Sequence, residues 1–503
     1  IASRSLNRLE HRLSKDVKLS EAYQRFLLEY ELMGHMAPVT DARNSDSAVY
    51  YLPHHPVLRE ASTTSPLRVV FNASCVTNSG TSLNDQLLTG HKLQSDLPAI
   101  LLRWRAHRLV FIADIAKMFR QILVYPADSE FQRILWRPAA DKPITPYRLL
   151  NVTYGTACAP LAMRVLKQLC HDEGVAFSLA VSVLEDSTYV DDVLFGAHNV
   201  SAILEIRNQL NSLLKLGGFY LRKWASNYEE LLKDITTSDL LDISCISFQE
   251  ENSIKALGLS WNPIPDCFSF QYQLDELEEP TKRSVLSIVS RIFDPLGLIS
   301  PVVISAKIFL QELWIRGLEW DAPLPTDLRD SWNTYFNSLT HLRGISIPRW
   351  TNQCPDVLGV ELHEFADASS RAYAAVVYLR VLTAIDQINV SFLVGKTKVP
   401  PIKTVSIPRL EFCAAVLLAR LIHFVQNALN FSFVPTYCWS DSMITLSWLK
   451  RHPSYWKPFV ANRVTDIQTK LSHAKWGYVS SKQNPADCAS RGIDAVTLKD
   501  HPL

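Results

Sequence analysis

Two adjacent carboxylates, Asp191 and Asp192, stand inside Ser187-Thr188-Tyr189-Val190-Asp191-Asp192-Val193-Leu194-Phe195. The flanking Thr, Tyr, Val, Leu and Phe suit a pleated, half-buried surface, so the pair belongs at a turn between two strands. Carboxylates so placed repel each other and resist desolvation, and a divalent cation is the simplest compensation, which makes the pair a platform for phosphoryl chemistry. A solvated turn is the competing explanation, because Asp is common in turns. A third carboxylate, Asp114, closes the apolar run Leu109–Ala113 and is either a metal ligand or a helix N-cap. Two cations held by Asp114, Asp191 and Asp192 would clamp an attacking 3′-hydroxyl and a leaving pyrophosphate.

A second set lies in the C-terminal block. Asp367 ends His363-Glu364-Phe365-Ala366, and Glu411 falls in the first turn of a helix opened by Pro408. Asp441 ends Cys438-Trp439-Ser440, and Asp487 follows Asn484-Pro485-Ala486 at a helix start. Acids are favourable at helix N-termini, which explains each of them singly. Four in the order Asp, Glu, Asp, Asp are hard to explain that way together. Trp448, Lys450, Arg451, His452, Trp456 and Lys457 mix basic and aromatic groups as a strand-tracking surface does. Gly395-Lys396-Thr397-Lys398 and the Arg103/Arg105/Arg108 cluster hint at phosphate contact, and a solvated face explains them equally well.

The elements that must hold these groups follow from the pattern. Leucines and tyrosines at helical spacing through residues 1–37 predict helices, followed by a Pro- and His-bearing extended segment. Strands are expected at 67–71, 109–113, 187–194 and 256–261, with helices at 94–106, 160–171 and 201–216, the last stopped by Gly217-Gly218. An acidic, Pro-ended joint at 275–280 precedes a helical block at 281–340, and Pro348 to Pro355 forms a second joint. Beyond it come a strand-rich start, a helix at 408–427, a strand at 434–440 and a helix opening at Ser442. Domains are expected at 1–60 (helical and extended), 61–265, 266–350 and 351–503.

Composition bounds the function less. A net charge of +1 over 503 residues announces no polycation, although a basic groove can be balanced by acid elsewhere. The nine cysteines are not spaced as in a zinc knuckle or redox pair and read as reduced thiols. No apolar run is expected to reach membrane-spanning length, the nearest being broken by Pro301 and Lys307. The chain begins at Ile1 without a signal-peptide pattern and is expected to be a piece of a longer polyprotein.

Ordered motifs now make a resemblance. Leu67-Arg68-Val69-Val70-Phe71, Asp114, Tyr154-Gly155-Thr156-Ala157-Cys158-Ala159-Pro160, Tyr189–Asp192, Gly217–Trp224 and Leu257-Gly258-Leu259-Ser260-Trp261 resemble, in sequence, the fingers and palm motifs of reverse transcriptases. Glu29–Met36, Asn84-Asp85, Ala113–Gln121 and Phe293–Pro301 resemble the Bel/Pao-type long-terminal-repeat retrotransposons, and the carboxylates at 367, 411, 441 and 487 resemble the tetrad of ribonuclease H.

The resemblance implies a right-hand polymerase (palm, fingers, thumb) of α+β class followed by an α/β RNase H-like domain with five strands. It implies that Arg68, Phe119, Tyr154, Gly155 and Lys223 bind the nucleotide, with Phe119 under the sugar (a core Phe is the other reading). Leu257, Gly258, Leu259 and Trp261 would form a primer grip. Mg2+ or Mn2+ ions, two per active site, would be held by Asp114, Asp191 and Asp192 and by Asp367, Glu411, Asp441 and Asp487. Expected partners are an RNA template, a DNA primer, RNA–DNA hybrid and dNTPs, with no membrane and with peptidase and integrase segments elsewhere in the polyprotein. The expected place of work is a cytoplasmic retroelement particle, or the nucleus. The family usually has Asp where this chain has Asn72, which keeps the shape but loses a charge that could orient Arg68. An aspartic peptidase is excluded for these residues, since no Asp-Thr-Gly or Asp-Ser-Gly loop occurs. The remaining alternative is a decayed or domesticated element that only binds nucleic acid.

Overall fold

The computed structural model describes all residues except 41–47, 59–66, 140, 242–253, 271, 273–278, 385–386 and 502–503. Most of the expected acidic joint at 275–280 lies outside the described residues. The chain divides into two compact units that do not follow the sequential boundaries expected above. The first comprises Ile1–Ser95, Ala113–Val193 and Ile206–Lys223; the second comprises Asp96–Ile112, Leu194–Glu205 and Trp224–Leu503.

The first unit opens with helices Ala2–Leu13 and Val17–Leu32, the second capped by Asp16, whose carboxylate accepts from the Leu19 N–H. Leu6, Leu9 and Leu13, then Tyr23, Leu27 and Tyr30, recur at three- and four-residue intervals and so line one face of each helix. They bury against Val69, Phe71, Ile134 and Trp136. Those partners come from the paired strands His54–Leu58 and Leu67–Phe71 and from a three-stranded sheet of Met36–Pro38, Thr145–Leu149 and Arg133–Trp136. That hairpin and helix Ser178–Asp186 were not anticipated from the sequence; helices Ala162–Glu173 and Val200–Leu216 were.

Thr188–Tyr189, Asp192–Ala197, Leu109–Ile115 and Leu221–Ser226 form a four-stranded sheet in that order. The inner strand Leu109–Ile115 is buried from Val110 to Ala113, which is why its sequence is continuously apolar rather than alternating.

In the second unit, strands Ile254–Ala256, Leu259–Asn262, Cys267–Ser269 and Ser346–Pro348 form an antiparallel sheet in sequence order. Helices Lys282–Arg291, Ser300–Ile315 and Thr326–Ser338 supply the expected helical block, packed around Val285, Ile288, Leu313, Leu328 and Trp332. A five-stranded mixed sheet follows, in the order Gln387–Lys398, Tyr373–Ala384, Gly359–Ala368, Thr436–Ser440, Lys475–Tyr478. Helix Ile407–Leu429 packs on its two central antiparallel strands. By length and composition this helix could cross a membrane, contrary to expectation, but most of its apolar window is buried, because it is the core helix of this layer. Helix Pro458–Lys470 is a further element the sequence did not disclose.

Two fully buried arginines join the parts of this unit. Arg349 makes a bidentate pair with Asp266 at 2.7 Å on both nitrogens and donates to the Trp104, His107 and Arg108 carbonyls at the end of helix Leu97–Ala106. Arg105 donates to the carbonyls of Pro348, Arg349, Phe392 and Leu393 and faces no carboxylate among the hydrogen bonds it makes. Burial pulls its guanidinium down to about 9, with Arg349 adding to the effect. The Arg103/Arg105/Arg108 cluster is therefore not a phosphate surface at Arg105, which is 1% exposed.

Candidate active sites

The first carboxylate cluster is built at a strained turn. Tyr189 pairs with Asp192, so Val190 and Asp191 form a two-residue hairpin loop with Val190 at φ 56°. A β-branched residue is costly in the left-handed region and persists only where its surroundings impose it. Here they do: Gln94 accepts from the Val190 N–H at 2.9 Å and donates to the Thr188 carbonyl at 2.8 Å. The Ile115 N–H donates to the Asp191 carbonyl at 2.7 Å, holding the loop beside the end of the Asp114 strand. Gln94 carried no recognisable signal in the sequence.

Burial, then Asp114, raises the Asp191 carboxyl above its ordinary range. Burial, then Asp191 and Asp114, pushes Asp192 up to about 7. The three groups thus share a field. Their oxygens do not converge within 4.8 Å as a ligand set, and Asp114 is occupied: Lys223 Nζ lies 2.7 Å from one oxygen and Arg222 Nε 3.7 Å from the other. Lys223, expected among the nucleotide-binding residues, pairs here with the carboxylate, from a backbone at φ 54°.

The expected nucleotide-binding residues gather around the same unit. Arg68 lies on strand Leu67–Phe71 with its side chain exposed. Tyr154 donates to the Val69 carbonyl at 2.7 Å. Gly155 sits at φ +97°, and a Cβ there would meet the Phe71 carbonyl oxygen at 2.7 Å, so only glycine fits. Asn84 straps this turn, donating to the Gly155 carbonyl at 3.0 Å and accepting from the Ala157 N–H at 2.8 Å. Phe119 is half-buried, while its neighbour Met118 takes the core position. Asn72 accepts from the Ser74 N–H at 3.1 Å, a local turn bond.

In the second unit, Leu257 and Gly258 form a turn with positive φ at both residues, 49° and 89°. Leu257, Leu259 and Trp261 are buried; Trp261 packs edge-on against Trp104 at 4.8 Å and donates to Asp266 at 2.9 Å. These side chains build the hairpin's core, so a primer contact would fall to its turn.

The second cluster is a converged one. Strands Gly359–Ala368 and Thr436–Ser440 are parallel with Ala366 opposite Ser440, which places Asp367 and Asp441 side by side at their carboxyl ends. Glu411 comes from helix Ile407–Leu429, one position past its first turn. One oxygen from each of Asp367, Glu411 and Asp441 lies within 4.8 Å of the others. Glu411 Oε2 and Asp441 Oδ1 are buried with no hydrogen-bond partner. Orphaned carboxylate oxygens are costly unless something compensates them. A hard divalent cation with oxygen ligands fits this donor set.

Two further oxygens are held: Ser490 donates to Asp367, and Ser481 to Asp441. Burial pushes Glu411 up to about 8, reinforced by Asp367 and Asp441, and Asp367 up to about 6, opposed by Ser490. Asp487 lies close enough to act on both groups but outside the converged set, because Arg491 Nε takes it at 2.7 Å. The expected tetrad is thus a triad plus a paired neighbour.

Residues 281–442 match the family described as Pao retrotransposon-like RNaseH-like domain. That segment of the chain is Pao-like. The Pao-like segment begins in the helical block, ahead of the five-stranded sheet, and ends just after Asp441. Among solved structures, the dRH form of the foamy viral protease–reverse transcriptase in complex with double-stranded DNA aligns at TM-score 0.58 and 16% identity, over 92% of this chain and 70% of that one. The same viral protein with an RNA/DNA hybrid aligns at 0.57 and 13% identity, over 94% of this chain and 55% of that one. No curated protein sequence matches. The fold is therefore that of a retroviral reverse transcriptase, polymerase followed by RNase H, with a Pao-like C-terminal part.

Proposed function

We propose that this chain is an RNA-directed DNA polymerase with RNase H activity that copies retrotransposon RNA into DNA. The observation that carries the reading is the Asp367–Glu411–Asp441 triad, with two orphaned oxygens, at the carboxyl ends of parallel strands in a Pao-like domain. Further support comes from Asp191 and Asp192 on a strained hairpin beside the end of the Asp114 strand, in a polymerase fold.

In the nuclease site, Asp367, Glu411 and Asp441 would hold Mg2+ or Mn2+. Bound divalent ions supply a Lewis acid that activates water and stabilises the leaving 3′-oxygen. Ser490 and Ser481 orient the two aspartates, leaving the other oxygens free to ligate. Arg491 neutralises Asp487 and limits the negative charge around the triad. In the polymerase site, Lys223 neutralises Asp114 and must yield that carboxylate before it can ligate. Lys223 would then be free to meet phosphate charge on the nucleotide. Arg68, Tyr154, Gly155 and half-buried Phe119 would form the nucleotide pocket, its backbone wall fixed by Asn84. The partners are RNA template, DNA primer, hybrid and dNTPs.

Primer extension and hybrid cleavage with Mg2+ test the reading. Extension is expected to vanish in Asp191→Asn with cleavage intact, and the reverse in Asp441→Asn. Inactivity of the unsubstituted chain in both assays would favour a decayed element that only binds nucleic acid.

A further inference from the structure

The second unit contains a cleft of about 630 Å³ that neither carboxylate cluster uses. Its walls include Asp294, Gly297, Lys307, Lys396, Lys398 and Arg420. The edge strand Gln387–Lys398 and the Asp294–Gly297 turn form a rigid border: the Gly395 N–H donates to the Leu296 carbonyl at 2.8 Å. A Cβ on Gly297, at φ +69°, would lie 2.1 Å from the Gly395 oxygen, so the two backbones meet where no side chain can stand.

Arg420 is paired with Asp466 at 2.8 Å and Asp96 also lines the cleft, but the three lysines lack counter-charges at ion-pair distance. Among the described residues, Lys307, Lys396 and Lys398 have no carboxylate within 4.0 Å. Both Asp294 oxygens already accept backbone N–H groups, from Leu298 at 2.8 Å and Ile299 at 2.9 Å. Burial and the neighbouring Lys396 lower the Lys307 ammonium from its ordinary range, against the pull of Asp294. Converging like charges in a concavity cost free energy that a bound anion recovers.

The cleft is also long. Lys398, Leu417 and Arg420 are shared with a second groove, of about 430 Å³, that continues to Tyr373, Cys413 and Arg463. From Cys413 to Phe424 the helix that floors both grooves rises roughly 16 Å. Lys396 and Lys398 project from the same strand face, roughly 7 Å apart, so each can meet a separate phosphate. A mononucleotide would satisfy one or two of these groups; a run of phosphodiesters satisfies them all.

We propose that this cleft binds the phosphodiester backbone of one nucleic-acid strand, at a site apart from the Asp367–Glu411–Asp441 cluster. The inference deepens the polymerase–nuclease reading, which supplies the strand. The test is fluorescence anisotropy of the full chain with labelled poly(U) RNA and, separately, poly(dT) DNA across a salt series. For Lys396→Ala/Lys398→Ala, loss of two single-strand phosphate contacts is expected to flatten the slope of log affinity against log salt by about 1.4.

Flattening with RNA alone assigns the cleft to a template strand, and with DNA alone to a product strand. An unchanged slope with both, in a variant whose thermal unfolding matches the parent, overturns the proposal. Cleavage of a short blunt hybrid should be unaffected; a proportionate loss would place the lysines in the nuclease site and also overturn it. An unsubstituted chain that binds but neither extends nor cleaves would defeat the functional reading, while the slope still decides this one.

Discussion

Glu364 offers the sharpest test of how this structure handles buried charge. It lies on strand Gly359–Ala368, is 0% exposed, and faces Cys438, whose thiol donates to Oε2 at 3.4 Å. Its Oε1 has no partner. Burial raises the carboxyl from 4.5 to about 8, so the folded chain holds a proton that the unfolded chain releases. For an acid shifted upward the sign is unfavourable at high pH: the folded state loses stability as pH rises from about 4.5 to about 8, then levels off. At 1.36 kcal/mol per unit, the penalty reaches about 3 kcal/mol at pH 7 and about 5 kcal/mol above pH 8. Glu364→Gln keeps the shape and removes the titration, so it should stabilise the second unit by about those amounts and flatten that part of the profile. Thermal or urea unfolding of parent and variant, followed from pH 5 to pH 9, reads this directly. Parallel profiles across that range would refute the reasoning, because they would mean that Glu364 is not protonated in the folded state.

Three further outcomes are expected. Arg349→Ala strands Asp266 and three helix-end carbonyls in a buried site and should destabilise the second unit by about 3–5 kcal/mol, seen as a lowered unfolding transition. Ser490→Ala removes the hydroxyl that orients Asp367 and should raise the Mg2+ concentration for half-maximal hybrid cleavage by about 10–100-fold, with primer extension unchanged. Asp192→Asn should retain more primer extension than Asp191→Asn, measured side by side at saturating Mg2+; equal or reversed losses would show that the second carboxylate carries as much of the metal contact as the first.

The strand Leu67–Phe71 and the hairpin around Asp191 were legible because their periodicity is local. Arg133–Trp136 with Thr145–Leu149 was not, since its strands are only four and five residues long and its partner Met36–Pro38 lies about a hundred residues away. Helix Ser178–Asp186 was not expected at all: the helix anticipated at 160–171 stops short of it, and the turn Gly174–Ala176 separates the two. The supports of the sites were invisible for the same reason: Gln94, Asn84, Ser481 and Ser490 are ordinary polar residues until the chain brings them to Val190, Gly155, Asp441 and Asp367.

What the sequence determined by itself was the set of carboxylates and their order, because ending a strand on an acid, as at Asp114, Asp367 and Asp441, leaves a readable local signature. Tertiary structure decided their present partners. It converged Asp367, Glu411 and Asp441 while giving Asp487 to Arg491, and it gave Asp114 to Lys223. It also turned Arg105 from a surface cation into a buried staple. The physical reason is common to all of these: a charge's identity is written in one residue, but its desolvation and its counter-ion come from segments far away in the chain.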